Sequence, residues 1–196
     1  MTKTRLEAFS DAVIAIIITI MVLEMKAPHG TEWSALQPIV PVFLTYVMSY
    51  AYLGIYWNNH HHMLHAADRV TGMVLWANLH LLFWLSLIPF ATRWMGENHF
   101  AVWPTAVYGF VLLMSAIAYA ALQTTLLRQC DSNHRLREAV GRDTKGKMTI
   151  ALYAVAIALA FYEPRVTLAL YVIVALIWLV PDPRIESIYR SGRHSK

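Results

Sequence analysis

Residues 6–25 read LEAFSDAVIAIIITIMVLEM, a run of 20 residues whose only charged side chains are Glu7, Asp11 and Glu24. A helix that crosses a bilayer needs about 20 mostly apolar residues, because the hydrocarbon core is about 30 Å thick and each helical residue rises about 1.5 Å. The run therefore predicts a membrane-spanning helix. It is not typical of a signal peptide, because acidic residues interrupt it and no small-residue cleavage site follows it.

Five more stretches have the same apolar character, and they cover residues 36–58, 72–94, 103–127, 148–162 and 166–181. The six stretches contain only four of the 28 formally charged side chains. The chain of 196 residues is 58% hydrophobic and 14% charged, whereas a soluble domain averages roughly 45–50% apolar and about 25% charged residues. These figures exclude a soluble domain and a disordered chain. We predict an all-α polytopic membrane protein with one domain, residues 1–196, and six transmembrane helices.

The last two apolar stretches are short, and only Glu163-Pro164-Arg165 separates them. Proline cannot continue a hydrogen-bonded helix, because it has no backbone N–H and its ring clashes with the preceding turn. The sequence therefore favours a tight hairpin of two helices. A single long helix with a kink at Pro164 is the alternative.

The basic residues predict the orientation in the membrane. If both termini face the cytoplasm, 13 of the 16 lysine and arginine residues lie on the cytoplasmic side, and only Lys26, Arg93 and Arg165 lie outside. This is the asymmetry that the positive-inside rule describes. The most basic loop, residues 128–147, also contains acidic residues, which favours a solvated loop. We therefore expect cytoplasmic termini, membrane lipid as a partner and no nucleic-acid partner.

Asp11 is the leading ionisable candidate within the membrane. A charge at the centre of a membrane helix costs about 2.5–3.5 kcal/mol on insertion scales, so intramembrane carboxylates are functional candidates. A structural carboxylate near the interface, paired with Arg5 or with a neighbouring helix, is the competing interpretation. The alternative function is a proton-coupled secondary transporter with Asp11 as a proton relay, although the first span lacks the mid-membrane break that such transporters usually have.

One face of the first span carries a stripe of large side chains. At about 100° per residue, Ile16, Thr19, Ile20 and Leu23 share this face, and Asp11 lies about 140° away from Ile16. A ring of aliphatic side chains around an axis can form a dewetting constriction of the kind that gates channels. Plain packing is the competing interpretation of the stripe, and a hydroxyl bonded back to its own helix is the competing interpretation of Thr19.

Four histidines follow one another closely in residues 60–65, after the second span. On a helix His61 and His65 share a face and could bind a metal, but histidines at an interfacial helix end also meet water. Because the nine histidines include only this one cluster and Cys130 is the single cysteine, we expect no metal site, no cofactor and no enzymatic activity. Asn78, in the third span, is expected to bond across helices.

The segment Arg5-x-x-x-Phe9-Ser10-Asp11 resembles the hallmark of the transmembrane protein 175 family, the endosomal and lysosomal potassium channels of animals and their bacterial relatives. Three further segments fit the same pattern, and they are Trp57-x-x-His60-His61, Asn78-Leu79 and Pro89-Phe90-x-Thr92. The resemblance implies six helices per repeat, with the first helix lining a central pore. Because this chain has one repeat, it implies a homotetramer in a bacterial cell membrane that conducts potassium ions in preference to sodium.

The resemblance also implies roles for individual residues. The family places an aliphatic constriction five positions after the motif aspartate and a hydroxyl residue three positions further on, which correspond here to Ile16 and Thr19, with Ile20 and Leu23 on the next turns. Ala15 stands where the animal pattern has a serine. The remaining motif residues are expected to form a structural and gating network, namely Arg5, Phe9, Ser10, Asp11, Trp57, His60, His61 and Asn78.

Overall fold

The apolar runs of the sequence fold into helices. The computed structural model describes residues 2–65, 70–129 and 144–179, and within these ranges it contains helices and no β-strand. The α-helices, numbered in chain order, are α1 (Lys3–Leu23), α2 (Val40–His65), α3 (Gly72–Ser86), α4 (Ile88–Glu97), α5 (Val102–Gln129), α6 (Thr144–Ala160) and α7 (Pro164–Leu179). A short 3-10 helix, Trp33–Ile39, precedes α2.

Four helical stretches of the described chain are long and apolar enough to cross a membrane, and they are Lys3–Leu23, Trp33–Leu64, Gly72–Glu97 and Val102–Arg128. The last two helices, α6 with 17 residues and α7 with 16, are shorter than the usual span of about 20 residues. The all-helical class is therefore as predicted. By length and composition, four helical stretches qualify as membrane spans, whereas the sequence predicts six.

The third predicted span contains a break that the hydropathy pattern does not reveal. The segment 72–94 was expected to be one helix, but α3 ends at Ser86 and α4 starts at Ile88, with Pro89 in its first turn. Proline is accommodated there because the first residues of a helix have no internal partner for their N–H groups. The second helix also differs from its expected bounds, because α2 continues to His65 and carries the whole histidine segment.

Helices α6 and α7 form a hairpin, as the sequence favours, and not one kinked helix. Residues 161–163 make the turn, and Pro164 is the first residue of α7. Thr167 in α7 donates a hydrogen bond of 3.0 Å from Oγ1 to the Ala156 carbonyl of α6. The two helices are therefore held together by a direct polar contact as well as by packing.

Buried tyrosines join the helices behind α1. Tyr52 of α2 donates a hydrogen bond of 2.6 Å to the carbonyl of Tyr171, and Tyr171 donates one of 3.1 Å to the carbonyl of Thr105. Ser49 of α2 is hydrogen-bonded to the Tyr108 hydroxyl of α5 at 2.9 Å. Because a polar group buried without a partner destabilises the fold, these bonds fix α2, α5 and α7 in one arrangement.

Helix α1 lies at the edge of this bundle. It packs against α2, α3 and α4, while α5 packs against α3, α4 and α6 on the far side. One long face of α1 is therefore covered by the chain and the opposite face is not.

Candidate pore-lining face and polar network

One face of α1 packs against the neighbouring helices, and its buried residues follow the helical repeat. Its buried side chains recur every three or four residues, and they are Leu6, Ser10, Ile14, Ile17 and Met21. This spacing places them in one line along a helix. The single polar member, Ser10, is fully buried, so the covered face includes a polar contact near the start of α1.

The uncovered face of α1 carries the stripe that the sequence singles out. Ile16 is 57% exposed and Leu23 is 79% exposed, and Thr19 and Ile20 are exposed with them. The Thr19 hydroxyl donates a hydrogen bond of 2.8 Å to the Ile16 carbonyl. Because its hydrogen is used within the helix, the Thr19 oxygen can present only its lone pairs to whatever faces α1.

An open cleft of about 570 Å³ runs along this stripe. Its α1 wall is formed by Val13, Ile16, Ile17, Ile20 and Glu24, and the other wall by Ser86, Pro89, Phe90 and Arg93. Of the four stripe residues, only Ile16 and Ile20 line the cleft; Thr19 and Leu23 lie beyond its edge.

A buried polar chain joins α1, α2 and α3. Asn78 of α3 donates a hydrogen bond of 2.9 Å from Nδ2 to Ser10 Oγ, and its Oδ1 lies 2.7 Å from His60 Nε2. An amide oxygen only accepts, so His60 must carry its proton on Nε2. Ser10 in turn donates a hydrogen bond of 2.9 Å to the Leu6 carbonyl. Every side chain in this chain of contacts is buried.

Asp11 makes the second link between α1 and α2. Trp57 donates a hydrogen bond of 2.9 Å from its indole Nε1 to Asp11 Oδ1. The Trp57 ring also stacks on His61, with 6.5 Å between ring centroids. Asp11 therefore points toward α2 and away from the stripe, in the direction that the helical angle predicts.

Two of the expected network residues lie apart from these contacts. Arg5 is exposed and makes no hydrogen bond or ion pair with any other described residue, so it is not the partner of Asp11. Phe9 is also exposed. The structure thus brings together six of the eight residues, which are Ser10, Asp11, Trp57, His60, His61 and Asn78.

The histidines offer no metal centre in the part of the chain that is described. No group of three or more histidine, cysteine, aspartate or glutamate side chains there could hold a metal ion. The side chain of His65, the possible partner of His61, lies outside the described atoms. His80 is exposed, and its Nε2 accepts a hydrogen bond of 2.9 Å from Trp84 Nε1.

An ion-pair cluster at the other end of α1 was not predicted. Glu24, just after α1, pairs with Arg93 of α4, and Arg93 also donates a hydrogen bond of 2.9 Å from Nε to Glu97. Each of the three side chains is about one third exposed or more. The sequence contains a signal for this ion pair, because Glu24 and Arg93 are opposite charges at the ends of two spans that are predicted to reach the same membrane face.

Comparison with known proteins identifies the family. The family model described as "Endosomal/lysosomal potassium channel TMEM175" matches residues 5–89. A potassium channel of Chryseobacterium is 55% identical over 186 residues, which cover 95% of this chain and 97% of that protein. The chain belongs to the TMEM175 family. The prediction from the motif at residues 5–11 is therefore confirmed.

Two further matches extend over nearly the whole chain. A potassium channel of Streptomyces collinus is 32% identical over 203 residues, which cover 93% of this chain and 96% of that protein. The crystal structure of a lysosomal potassium-selective channel TMEM175 homolog from Chamaesiphon minutus matches with a TM-score of 0.80 at 27% identity, covering 91% of this chain and 96% of that one. The family and these relatives are ion channels and not enzymes, and the apolar helices of this chain fit a membrane protein.

Proposed function

We propose that this chain is one subunit of a potassium-selective channel in a bacterial cell membrane. Four copies would surround a central pore, each contributing the uncovered face of α1. The observation that carries the proposal is the exposure of the Ile16, Thr19, Ile20 and Leu23 stripe in a chain of the TMEM175 family. The names of the relatives from Chryseobacterium and Streptomyces, both potassium channels, support the ion.

The stripe provides a hydrophobic constriction in this proposal. A ring of four Ile16 side chains would form the narrowest and driest point, since aliphatic side chains around a narrow axis exclude water. Ile20 and Leu23 would stack on the next turns, and the Thr19 oxygens would offer lone pairs beside them. In ordinary potassium channels, the backbone carbonyls of a TVGYG loop line the selectivity filter. The sequence contains no TVGYG segment, so such a loop does not supply the selectivity here.

The buried polar chain of Ser10, Asn78 and His60 positions the stripe. These hydrogen bonds hold the first half of α1 against α2 and α3, at a point at least one helical turn away from Ile16. The Asp11–Trp57 bond holds the same half of α1 from a second direction. The network therefore sets the rotation of α1 about its own axis, and with it the direction in which Ile16 points.

The proposed topology has six membrane crossings. Helices α3 and α4 would cross together as the stretch Gly72–Glu97, and the hairpin of α6 and α7 would supply the two shorter crossings. Both termini would lie in the cytoplasm with the basic residues of positions 128–147. Most of that loop, and residues 180–196, lie outside the described part of the chain.

Ion flux into liposomes tests the function. Purified protein is reconstituted, and uptake is measured under a potassium gradient and then under a matched sodium gradient. Passive flux that reverses at the potassium equilibrium potential and is faster for potassium is the expected result. A saturable flux that requires a proton gradient and is abolished in Asp11→Asn would instead support the transporter and contradict the channel.

A further inference from the structure

The cleft beside the Ile16 stripe is an apolar groove between α1 and α4. Aliphatic side chains of α1 form one wall, and Pro89 and the exposed ring of Phe90 stand on the other. The charged lining residues are Glu24 and Arg93, which pair with each other. Burying polar groups against such walls is unfavourable, so the groove fits apolar side chains.

A line of small side chains runs along α1 on the other side of Ile16. Its members are exposed and recur at intervals of four, three and four residues, and they are Ala8, Ala12, Ala15 and Thr19. This spacing keeps them in one line along the helix. Membrane helices pack closely through small residues, because these let two backbones approach each other. We call these four residues the small-residue line.

Ile16 lies between the cleft and the small-residue line. At about 100° per residue, Val13 and Ile20 point about 60° and 40° to one side of Ile16, and both line the cleft. Ala12 and Thr19 point about 40° and 60° to the other side. Helix α1 therefore has two different packing surfaces, one on each side of the residue that is proposed to face the pore.

Two different surfaces on one helix allow a head-to-tail contact between copies of the chain. The small-residue line of one copy then packs into the cleft of the next, and every copy uses both surfaces once. Contacts of this kind form a ring when the rotation from copy to copy closes. Because Ile16 lies between the two surfaces, a closed ring turns it toward the common axis in every copy.

The charges at one end of α1 are complementary between copies. At the end of the cleft, the carboxylates of Glu24 and Glu97 share the guanidinium of Arg93, which leaves one negative charge in excess. Lys26 follows the same end of α1, is exposed and makes no ion pair with a described residue. In a ring, Lys26 of one copy approaches this acidic excess on the next. Exposed pairs contribute little stability, so they favour the register of the contact more than its strength.

We propose that the cleft between α1 and α4 is the docking site for α1 of a second copy of this chain. Ala15 and Thr19 of that copy lie against Ile20 and Phe90. The proposal rests on the proposed channel function, because the constriction needs Ile16 from every copy and is incomplete in one chain. It deepens that function by assigning the two surfaces that join neighbouring subunits.

Disulfide crosslinking in membranes tests the contact. Rotation about a common axis keeps each residue at one depth, and Phe90 lines the cleft with Ile20, the residue after Thr19. Thr19→Cys and Phe90→Cys are combined in one chain in which Cys130, the single cysteine, is replaced by serine. A disulfide requires Cβ atoms about 3.5–4.5 Å apart. We expect oxidation to give dimers, trimers and tetramers on a denaturing gel.

The matched control combines Thr19→Cys with Ile173→Cys. Ile173 is also exposed, but it lies on α7, away from the cleft. We expect this pair to stay monomeric under the same oxidation. Equal crosslinking of the two pairs would indicate random collision in the membrane and would overturn the proposal.

Ala15→Leu tests the close packing without cysteines. A larger side chain in the small-residue line separates the two backbones, so we expect loss of the oligomer peak in size-exclusion chromatography. Ala154→Leu is the matched control, because Ala154 is an exposed alanine on α6, and its oligomer peak should persist. Circular dichroism of both variants confirms that each remains helical. An oligomer peak that Ala15→Leu leaves intact would overturn the proposal.

Potassium flux of the unmodified protein in liposomes separates this interface from the proposed channel function. Crosslinks between Thr19→Cys and Phe90→Cys without any potassium flux would support the interface and contradict the channel. Potassium-selective flux together with a Thr19→Cys and Phe90→Cys pair that stays monomeric would support the channel. That second result would overturn the interface and leave the cleft to lipid chains.

Discussion

The indole N–H of Trp57 donates a hydrogen bond of 2.9 Å to Asp11, which ties α2 to α1 five positions before Ile16. Five residues of an α-helix correspond to a rotation of about 140°. The bond therefore holds one side of α1 while the Ile16 stripe faces another. In the proposed channel, Trp57 and Asp11 are positioning residues, because they act on the ion path only through the rotation of α1.

Trp57→Phe tests this positioning role. The variant keeps an aromatic ring but loses the only hydrogen-bond donor of the side chain. We expect a small loss of stability, about 0.6 kcal/mol for a cross-helix bond in a membrane, and a larger relative loss of potassium flux per folded protein. Thermal unfolding and liposome flux are measured on the same preparation. Trp76→Phe, on the exposed face of α3, is the matched control and should change neither quantity.

Asn78→Leu tests the buried polar chain. The substitution keeps the branched shape and the number of side-chain heavy atoms, but it removes the buried partner that Ser10 and His60 share. We expect a loss of about 1–3 kcal/mol in the free energy of unfolding, because unsatisfied buried groups keep their desolvation cost. Asn98→Leu is the control, since Asn98 is exposed, directly follows α4 and donates its side-chain hydrogen bond to the Trp94 carbonyl of that helix. Equal stability of the two variants would contradict the structural role of Asn78.

The ion pair between Glu24 and Arg93 is tested by a double-mutant cycle with Glu24→Gln and Arg93→Gln. If the two side chains interact, the effects of the single substitutions on melting temperature are not additive. We expect a small coupling that weakens as salt is added, because both groups are partly exposed and exposed charges are screened. Additive effects at low salt would show that the pair does not hold the end of α1 to α4.

Which residues share a face of α1 could be predicted, because this depends only on helix geometry. The positions of Ile16, Thr19, Ile20 and Leu23 relative to Asp11 follow from 3.6 residues per turn. Knowing that this face is left uncovered required the structure, because α1 is apolar all round and its pattern does not select a packing face. The contact partners of Asp11 likewise depend on how α2 is rotated, which hydropathy does not encode.

The break between α3 and α4 shows the limit of counting apolar residues. A hydropathy window treats 72–94 as continuous, because Ser86 and Pro89 do not lower its mean hydropathy enough to divide it. Proline nevertheless restricts the helix locally through its missing N–H. The Glu24–Arg93 pair was missed for a related reason. Hydropathy places each charge at a membrane face, but it does not show which helices are neighbours.

Ile16→Asn is the most direct test that α1 lines the ion path. A polar side chain at the driest point would let water enter the constriction, so conduction no longer requires a spontaneous wetting event. We expect faster flux and a weaker preference for potassium over sodium. Ile173→Asn is the matched control, because Ile173 is also about half exposed, at 47%, but lies on α7.

The decisive measurement is therefore the potassium and sodium flux of Ile16→Asn, Ile173→Asn and the unmodified protein in the same liposomes, per folded molecule. The account predicts that Ile16→Asn alone conducts faster and discriminates less between the two ions. Flux and selectivity of Ile16→Asn equal to those of the unmodified protein would remove Ile16, and the uncovered face of α1, from the pore.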